Sequence, residues 1–174
     1  ERILDILKDK ERSIHELQAL LALNNSEGFT VLLKALNHLE DEGKVVRNEK
    51  NEYLLIENSN YIVGVLHINK RGFGFVIIDE ESEDIFISSR DLKDAFNMDT
   101  VMVELKKHQT GSRKEGCIVK VIQRGQTRLV GLLKNAKREL VFDADDQKFN
   151  QPIYIDHAHS HGAVAGHKVV VEIK

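Results

Sequence analysis

Apolar residues recur at helical spacing through the first forty positions and at strand spacing through most of the remaining chain. Ile3, Ile6 and Leu7 share one helical face, and Ser13 with Glu16 forms a capping box opening a helix whose apolar side is Ile14, Leu17 and Leu21. Asn24, Asn25 and Ser26 break that pattern. Phe29, Leu32, Leu33, Leu36 and Leu39 then stand at i, i+3, i+4, i+7 and i+10, which predicts a third helix, and Gly43 is placed to end it. Val45 with Val46, a polar turn over 48–51, and Tyr53 to Ile56 predict a β-hairpin that closes a first unit at residue 57.

After the polar connector Glu57 to Asn60, period-two alternation predicts strands near 61–68, 73–78, 84–88, 100–106 and 116–123, with a helical turn carrying Arg90, Leu92, Ala95 and Phe96. Five strands fit an OB-type barrel. Its pattern returns. A shift of 67 lays Val63, Gly64, Leu66, Lys70, Arg71, Phe75 and Asp79 on Val130, Gly131, Leu133, Lys137, Arg138, Phe142 and Asp146. A shift of 68 continues it, laying Ile85 and Ile87 on Ile153 and Ile155, and Val101, Val103 and Glu104 on Val169, Val171 and Glu172. The expectation is an α+β multidomain chain: helices and a hairpin over 1–57, a mainly-β OB-type barrel over 61–124, and a second, degenerate barrel over 128–174 that lacks its last strand.

Candidate chemistry concentrates in one stretch, Lys70-Arg71-Gly72-Phe73-Gly74-Phe75-Val76, with Asp84-Ile85-Phe86-Ile87 downstream. Alternation puts Phe73 and Phe75 on one face and the glycines on the other, and Phe86 can join them across the sheet. Such rings stack on the π-face of any base while Lys70, Arg71 and Arg90 meet phosphates, so the stretch reads as a single-strand nucleic-acid platform. The competing reading makes Phe73 and Phe75 core residues and the glycines a bulge. Glycines leave the other face little to bury, and Val76, Ile77 and Ile78 are expected to supply the core instead. In the second copy Glu139, Leu140 and Val141 replace Gly72, Phe73 and Gly74, which leaves Lys137, Arg138, Phe142 and Tyr154 as weaker candidates. Residues 107–115, with Lys107, His108, Arg113 and Lys114, are either a solvated basic loop or an extension of the phosphate track.

Charge tempers this picture. The formal net charge of the 174 residues is −3, so nucleic-acid binding must rest on local patches. Residues 1–60 hold eight Lys or Arg against twelve Asp or Glu, and the third helix ends in Glu40, Asp41 and Glu42, which phosphates repel. That favours a structural or partner-binding role over duplex DNA readout for the first unit. The single cysteine, Cys117, lies in an apolar run and is expected to be a buried thiol in a reducing compartment. No apolar stretch is long enough to span a bilayer and no signal-peptide pattern opens the chain, so no membrane partner and a cytoplasmic location are expected. A first residue of Glu1 rather than Met suggests that the native protein starts earlier. His157, His159 and His161 alternate and His167 follows, but the segment reads as a solvated loop rather than a metal site. Asp143, Asp145 and Asp146 suggest a magnesium site, but their counterparts in the first barrel include only Asp79 and the pair Asp145 and Asp146 reads as a turn; no constellation for catalysis stands out.

Lys-Arg-Gly-Phe-Gly-Phe-Val followed by Asp-Ile-Phe-Ile resembles the paired ribonucleoprotein motifs of bacterial cold-shock domains, and three helices with a hairpin resemble a winged helix-turn-helix. In that order the modules resemble the N-terminal region of the ribonuclease R family, processive 3′→5′ exoribonucleases of the ribonuclease II superfamily. Ser88 stands where the family often has Pro, and Met98 where Gly is usual. The resemblance implies a non-catalytic segment without a cofactor of its own, which captures single-stranded RNA and guides it to a downstream catalytic domain holding Mg²⁺. Two alternatives stay open: a stand-alone RNA-binding or RNA-chaperone protein, and a winged-helix transcription regulator.

Overall fold

The computed structural model describes residues 1–107, 111–149 and 151–173. His108 of the basic loop and Lys174 lie outside the described residues.

Three helices open the chain: α1 (Arg2–Leu7), α2 (Ile14–Leu20) and α3 (Ser26–Asp41). The Ser13–Glu16 capping box forms as expected: the Ser13 side chain accepts from the Glu16 amide, and the Ser13 amide donates to the Glu16 carboxylate. Gly43 follows the end of α3 at φ 67°, the left-handed region in which glycine is unstrained. Strands β1 (Val45–Arg47) and β2 (Tyr53–Leu55) pair antiparallel, and Arg12 bridges to Tyr53 as a third, isolated rung. Leu7, Leu17, Leu32 and Leu36 interlock with Val45, Tyr53 and Leu55. Each such leucine contributes about 1.5–3 kcal/mol by leaving water. Leu33 is exposed, because the apolar stripe of α3 is narrower than its sequence pattern suggests.

The next five strands, β3 (Tyr61–Ile68), β4 (Gly74–Ile77), β5 (Ile85–Ile87), β6 (Thr100–Leu105) and β7 (Glu115–Gln123), close into a barrel in the order β3-β4-β5-β7-β6. Closure depends on β7, which pairs parallel to β5 and antiparallel to β6. Leu66, Val76, Ile85, Ile87, Val101 and Ile118 are among the residues that fill the barrel. Two expectations are corrected here. Of the three residues expected to supply the core only Val76 does so: Ile77 is half-buried outside the core cluster, and Ile78 lies past the end of β4 and is exposed. Cys117 is half-buried, because Gly116 and Ile118 take the inward positions of β7 and alternation turns the thiol outward.

The last four strands, β8 (Arg128–Ala136), β9 (Glu139–Ala144), β10 (Ile153–Ile155) and β11 (Lys168–Glu172), form an open sheet in the order β10-β9-β8-β11. Leu129, Leu133, Leu140, Phe142 and Phe149 form its core. Phe96 of the first barrel packs against that core, with its ring 5.5 Å from that of Phe149.

Candidate nucleic-acid interface

The β3–β4 turn positions the aromatic face. Gly72 sits at φ 86° in that turn, and a Cβ on Gly74 would lie 2.8 Å from a Leu66 methyl carbon inside the barrel. Only glycine fits the inward position, so the flanking Phe73 and Phe75 face outward. Phe86 is the direct cross-strand partner of Phe75. The three rings meet: centroids are 5.9 Å apart for Phe73–Phe75, 5.4 Å for Phe73–Phe86 and 5.7 Å for Phe75–Phe86, with interplanar angles of 78°, 50° and 65°. All three are half-buried and lie outside the barrel's core cluster. Lys70 and Arg71 are exposed on the turn that leads into Phe73, and the Arg71 amide donates to the Asn69 side chain. Arg90 is exposed on a 3-10 turn after β5, and no cation–π contact joins it to the rings among the described residues.

One cation among the described residues lies over these rings. The guanidinium carbon of Arg113 lies 3.8 Å from the Phe86 ring centroid. The sequence leaves this basic loop open between a solvated loop and an extension of the phosphate track, and its spacing alone does not bring Arg113 to a ring. The connection comes from topology rather than spacing: parallel β5–β7 pairing sets Phe86 opposite Glu115, and the Phe86 amide donates to the Lys114 carbonyl. Nearby, Asp91 accepts from Ser88 at 2.5 Å and from Lys106 at 2.6 Å. Burial pushes the Asp91 carboxyl up, but those two donors outweigh it and hold the group below its ordinary value. Burial raises the Cys117 thiol above its ordinary value, so it is a poor nucleophile at neutral pH.

The second sheet repeats the scaffold with one correction. Phe142, aligned with Phe75 by the sequence repeat, pairs with Leu133 and is only 2% exposed. Leu133 corresponds to Leu66, whose partner is Val76, so Phe142 takes the place of core Val76 and Val141 that of Phe75. Phe142 is therefore not a stacking residue. Tyr154 does stand where Phe86 stands, opposite Val141, and is 59% exposed. Lys137, at φ 34°, and Arg138 form the exposed β8–β9 turn. The aspartates behave as turn and surface residues. Asp143 pairs with Lys134, Asp145 with Lys168 at 2.8 Å, and Asp146 accepts from the Lys148 amide. His157 and His159 lie on a short 3-10 turn capped by Asp156, His161 follows it, and all three are exposed. Among the described residues no group of three or more His, Cys, Asp or Glu side chains is arranged to hold a metal ion.

Residues 64–121 match the family model of the ribonuclease B OB domain. Ribonuclease R 1 of Lactococcus lactis subsp. lactis is 32% identical over 145 residues, covering 75% of this chain and 17% of that protein. Ribonuclease R of Escherichia coli is 26% identical over 175 residues, covering 99% of this chain and 22% of its own. This chain resembles the N-terminal region of ribonuclease R. It spans about a fifth of the length of the curated ribonuclease R proteins it matches. Among solved structures, Mycoplasma genitalium RNase R in complex with ribose methylated single-stranded RNA matches with a TM-score of 0.57 at 17% identity, covering 64% of this chain and 18% of that one. Yeast Ssd1, a pseudonuclease, matches with a TM-score of 0.50 at 20% identity, covering 59% of this chain and 18% of its own. At these identities the structural likeness is one of fold.

Proposed function

We propose that this chain is the single-stranded RNA-binding N-terminal segment of a ribonuclease R-like 3′→5′ exoribonuclease, and that it captures RNA and guides it to a downstream catalytic domain. The observation that carries the reading is the Phe73–Phe75–Phe86 cluster, held outside the barrel core beside Lys70 and Arg71. The single-stranded RNA bound by the Mycoplasma genitalium enzyme supports the same ligand class here. Within this reading residues 1–57 are a winged helix, 61–124 a cold-shock domain and 128–174 a second, degenerate one, at work in the cytoplasm. The first unit acts through a protein partner. Two cations at the hairpin are already paired with carboxylates at the end of the third helix, Arg47 with Glu40 at 2.8 Å and Lys44 with Glu42 at 3.0 Å, while Leu20 and Val31 are exposed. Within the same reading, magnesium is the cofactor of the downstream catalytic domain.

The test is a salt titration of binding to fluorescent single-stranded RNA, with a thermal melt for each variant. Replacing Phe73, Phe75 or Phe86 by Ala is expected to cost about 1–3 kcal/mol of affinity with little dependence on base sequence. Losing Lys70 or Arg71 flattens the log–log salt slope by about 0.7 per phosphate contact. Phenylalanine variants that melt early yet bind as the parent does while folded would show the rings to be structural only.

A further inference from the structure

Phe86 differs from its two aromatic neighbours in what covers it. Phe73 and Phe75 lean on it at 50° and 65°, and the Arg113 guanidinium lies over its face at 3.8 Å from the centroid. That separation is a stacking distance, so a nucleobase laid on the same face needs the volume that Arg113 fills. The arginine is exposed, and it takes part in none of the ion pairs among the described residues. Its backbone anchor is firm, because the next residue, Lys114, receives the Phe86 amide hydrogen bond across the parallel β5–β7 pair. A long side chain on a fixed backbone can leave the ring without any change in the barrel.

The geometry points to Arg113 as the placeholder of the stacking platform. In the free protein it occupies the base position on Phe86, and an incoming single strand displaces it, whereupon the freed guanidinium pairs with phosphate. This rests on the RNA-binding reading above and adds to it a specific exchange, one cation–π contact for one base stack plus one phosphate contact. The placeholder has two opposed consequences. It shields an apolar ring from water and from unwanted partners, and it opposes binding by about two- to fivefold, the equivalent of one exposed cation–π contact. It also offsets that opposition at low salt, where a phosphate contact is strong, and not at high salt, where it is screened.

Salt dependence therefore separates the placeholder from a simple contact. The full chain and its Arg113→Ala and Arg113→Gln variants are titrated with a fluorescein-labelled oligouridylate of about 12 nucleotides across a range of salt. The variants are expected to bind more weakly than the parent at low salt, with a slope shallower by about 0.7, and to cross it at high salt, ending about two- to fivefold tighter. In parallel, the Arg113 δ-methylene proton resonances are expected upfield in the free protein, shifted by the Phe86 ring current, and are expected to return to ordinary values at RNA saturation. A variant weaker by one constant factor at every salt concentration, or indistinguishable from the parent, overturns the placeholder. An upfield shift that persists in the saturated complex does the same. Those results leave the RNA-binding reading standing, whereas a parent chain that fails to bind the oligonucleotide at any salt concentration removes both.

Discussion

Phe75 and Phe142 look equivalent in the sequence and sit on opposite faces of their sheets, and the cause is one residue of hairpin loop. Five residues, 69–73, separate the paired Ile68 and Gly74, whereas four, 136–139, separate their counterparts Asn135 and Leu140. A slip of one residue turns every side chain of a strand to the other face. Phe142→Ala is accordingly expected to lower stability by about 3–5 kcal/mol while leaving RNA affinity of the folded protein unchanged; Phe75→Ala is expected to do the reverse. Paired urea melts and binding curves decide it, and an affinity loss in Phe142→Ala matching that of Phe75→Ala would restore the sequence alignment. The outward placement of Phe73 and Phe75 was legible because glycine alternates with phenylalanine there, a pattern that alone declares which face is crowded. No such marker accompanies Phe142. The inward glycine that makes room for its ring is Gly131 on the neighbouring strand, where a Cβ would lie 2.7 Å from a Phe142 ring carbon.

Elements were legible wherever their own periodicity or capping decided them, as in the three helices, the hairpin and the strands of the first barrel. Strand ends were less so. The alternating run 73–78 pairs only over Gly74–Ile77, because Phe73 belongs to the turn and the pairing with β3 ends at Val65 and Ile77. Ser13→Ala is expected to lower stability by about 1 kcal/mol through loss of the α2 cap; a shift in the denaturation midpoint measures it, and a value near zero would mean the cap is idle. The turn after β5 offers a pH test. Asp91 has a folded pKa held below its ordinary value, so it contributes stability that is present above the unfolded carboxylate value and is lost as pH falls through the folded one. Its partner Lys106 is raised by the hydrogen bond to Asp91, so that side of the pair is intact below the ordinary lysine value and is lost only as pH rises through the raised one. Asp91→Asn is expected to flatten the acid limb of the stability–pH curve below about pH 4. An acid limb identical to the parent's would show that the pair does not couple to folding.

At the scale of the molecule, the three cores meet among the described residues at two small seams, neither of which the sequence announces, because each joins residues that have no shared period. At the first seam Lys120 donates to the Glu40 carbonyl at the end of α3, and Gly43 packs so tightly on Ile122 that a Cβ there would lie 2.2 Å from its terminal methyl. At the second, Asp99 is fully buried and accepts from the Phe96 amide at 2.8 Å, from Arg124 at 2.6 Å and from the Gly125 amide at 3.0 Å. Arg124 in turn lies 4.9 Å over the Phe96 ring, and Phe96 packs on Phe149 of the second sheet. One carboxylate thus holds the connector at Arg124 and Gly125 and the backbone of Phe96, whose ring packs on the second sheet. A buried carboxylate stripped of its cation costs about 3–5 kcal/mol, so Arg124→Met is expected to destabilise the chain by up to that amount. It should also uncouple the two sheets, turning one cooperative urea transition into two when followed by amide exchange in β3–β7 and in β8–β11 separately. Phe149→Ala should uncouple them without touching the charge, and the double variant should show less than the sum of the two losses, since both act on the same Phe96 contact. Additive losses, or a single transition retained in Arg124→Met, would mean that the two sheets are joined elsewhere and that Asp99 serves the first barrel alone.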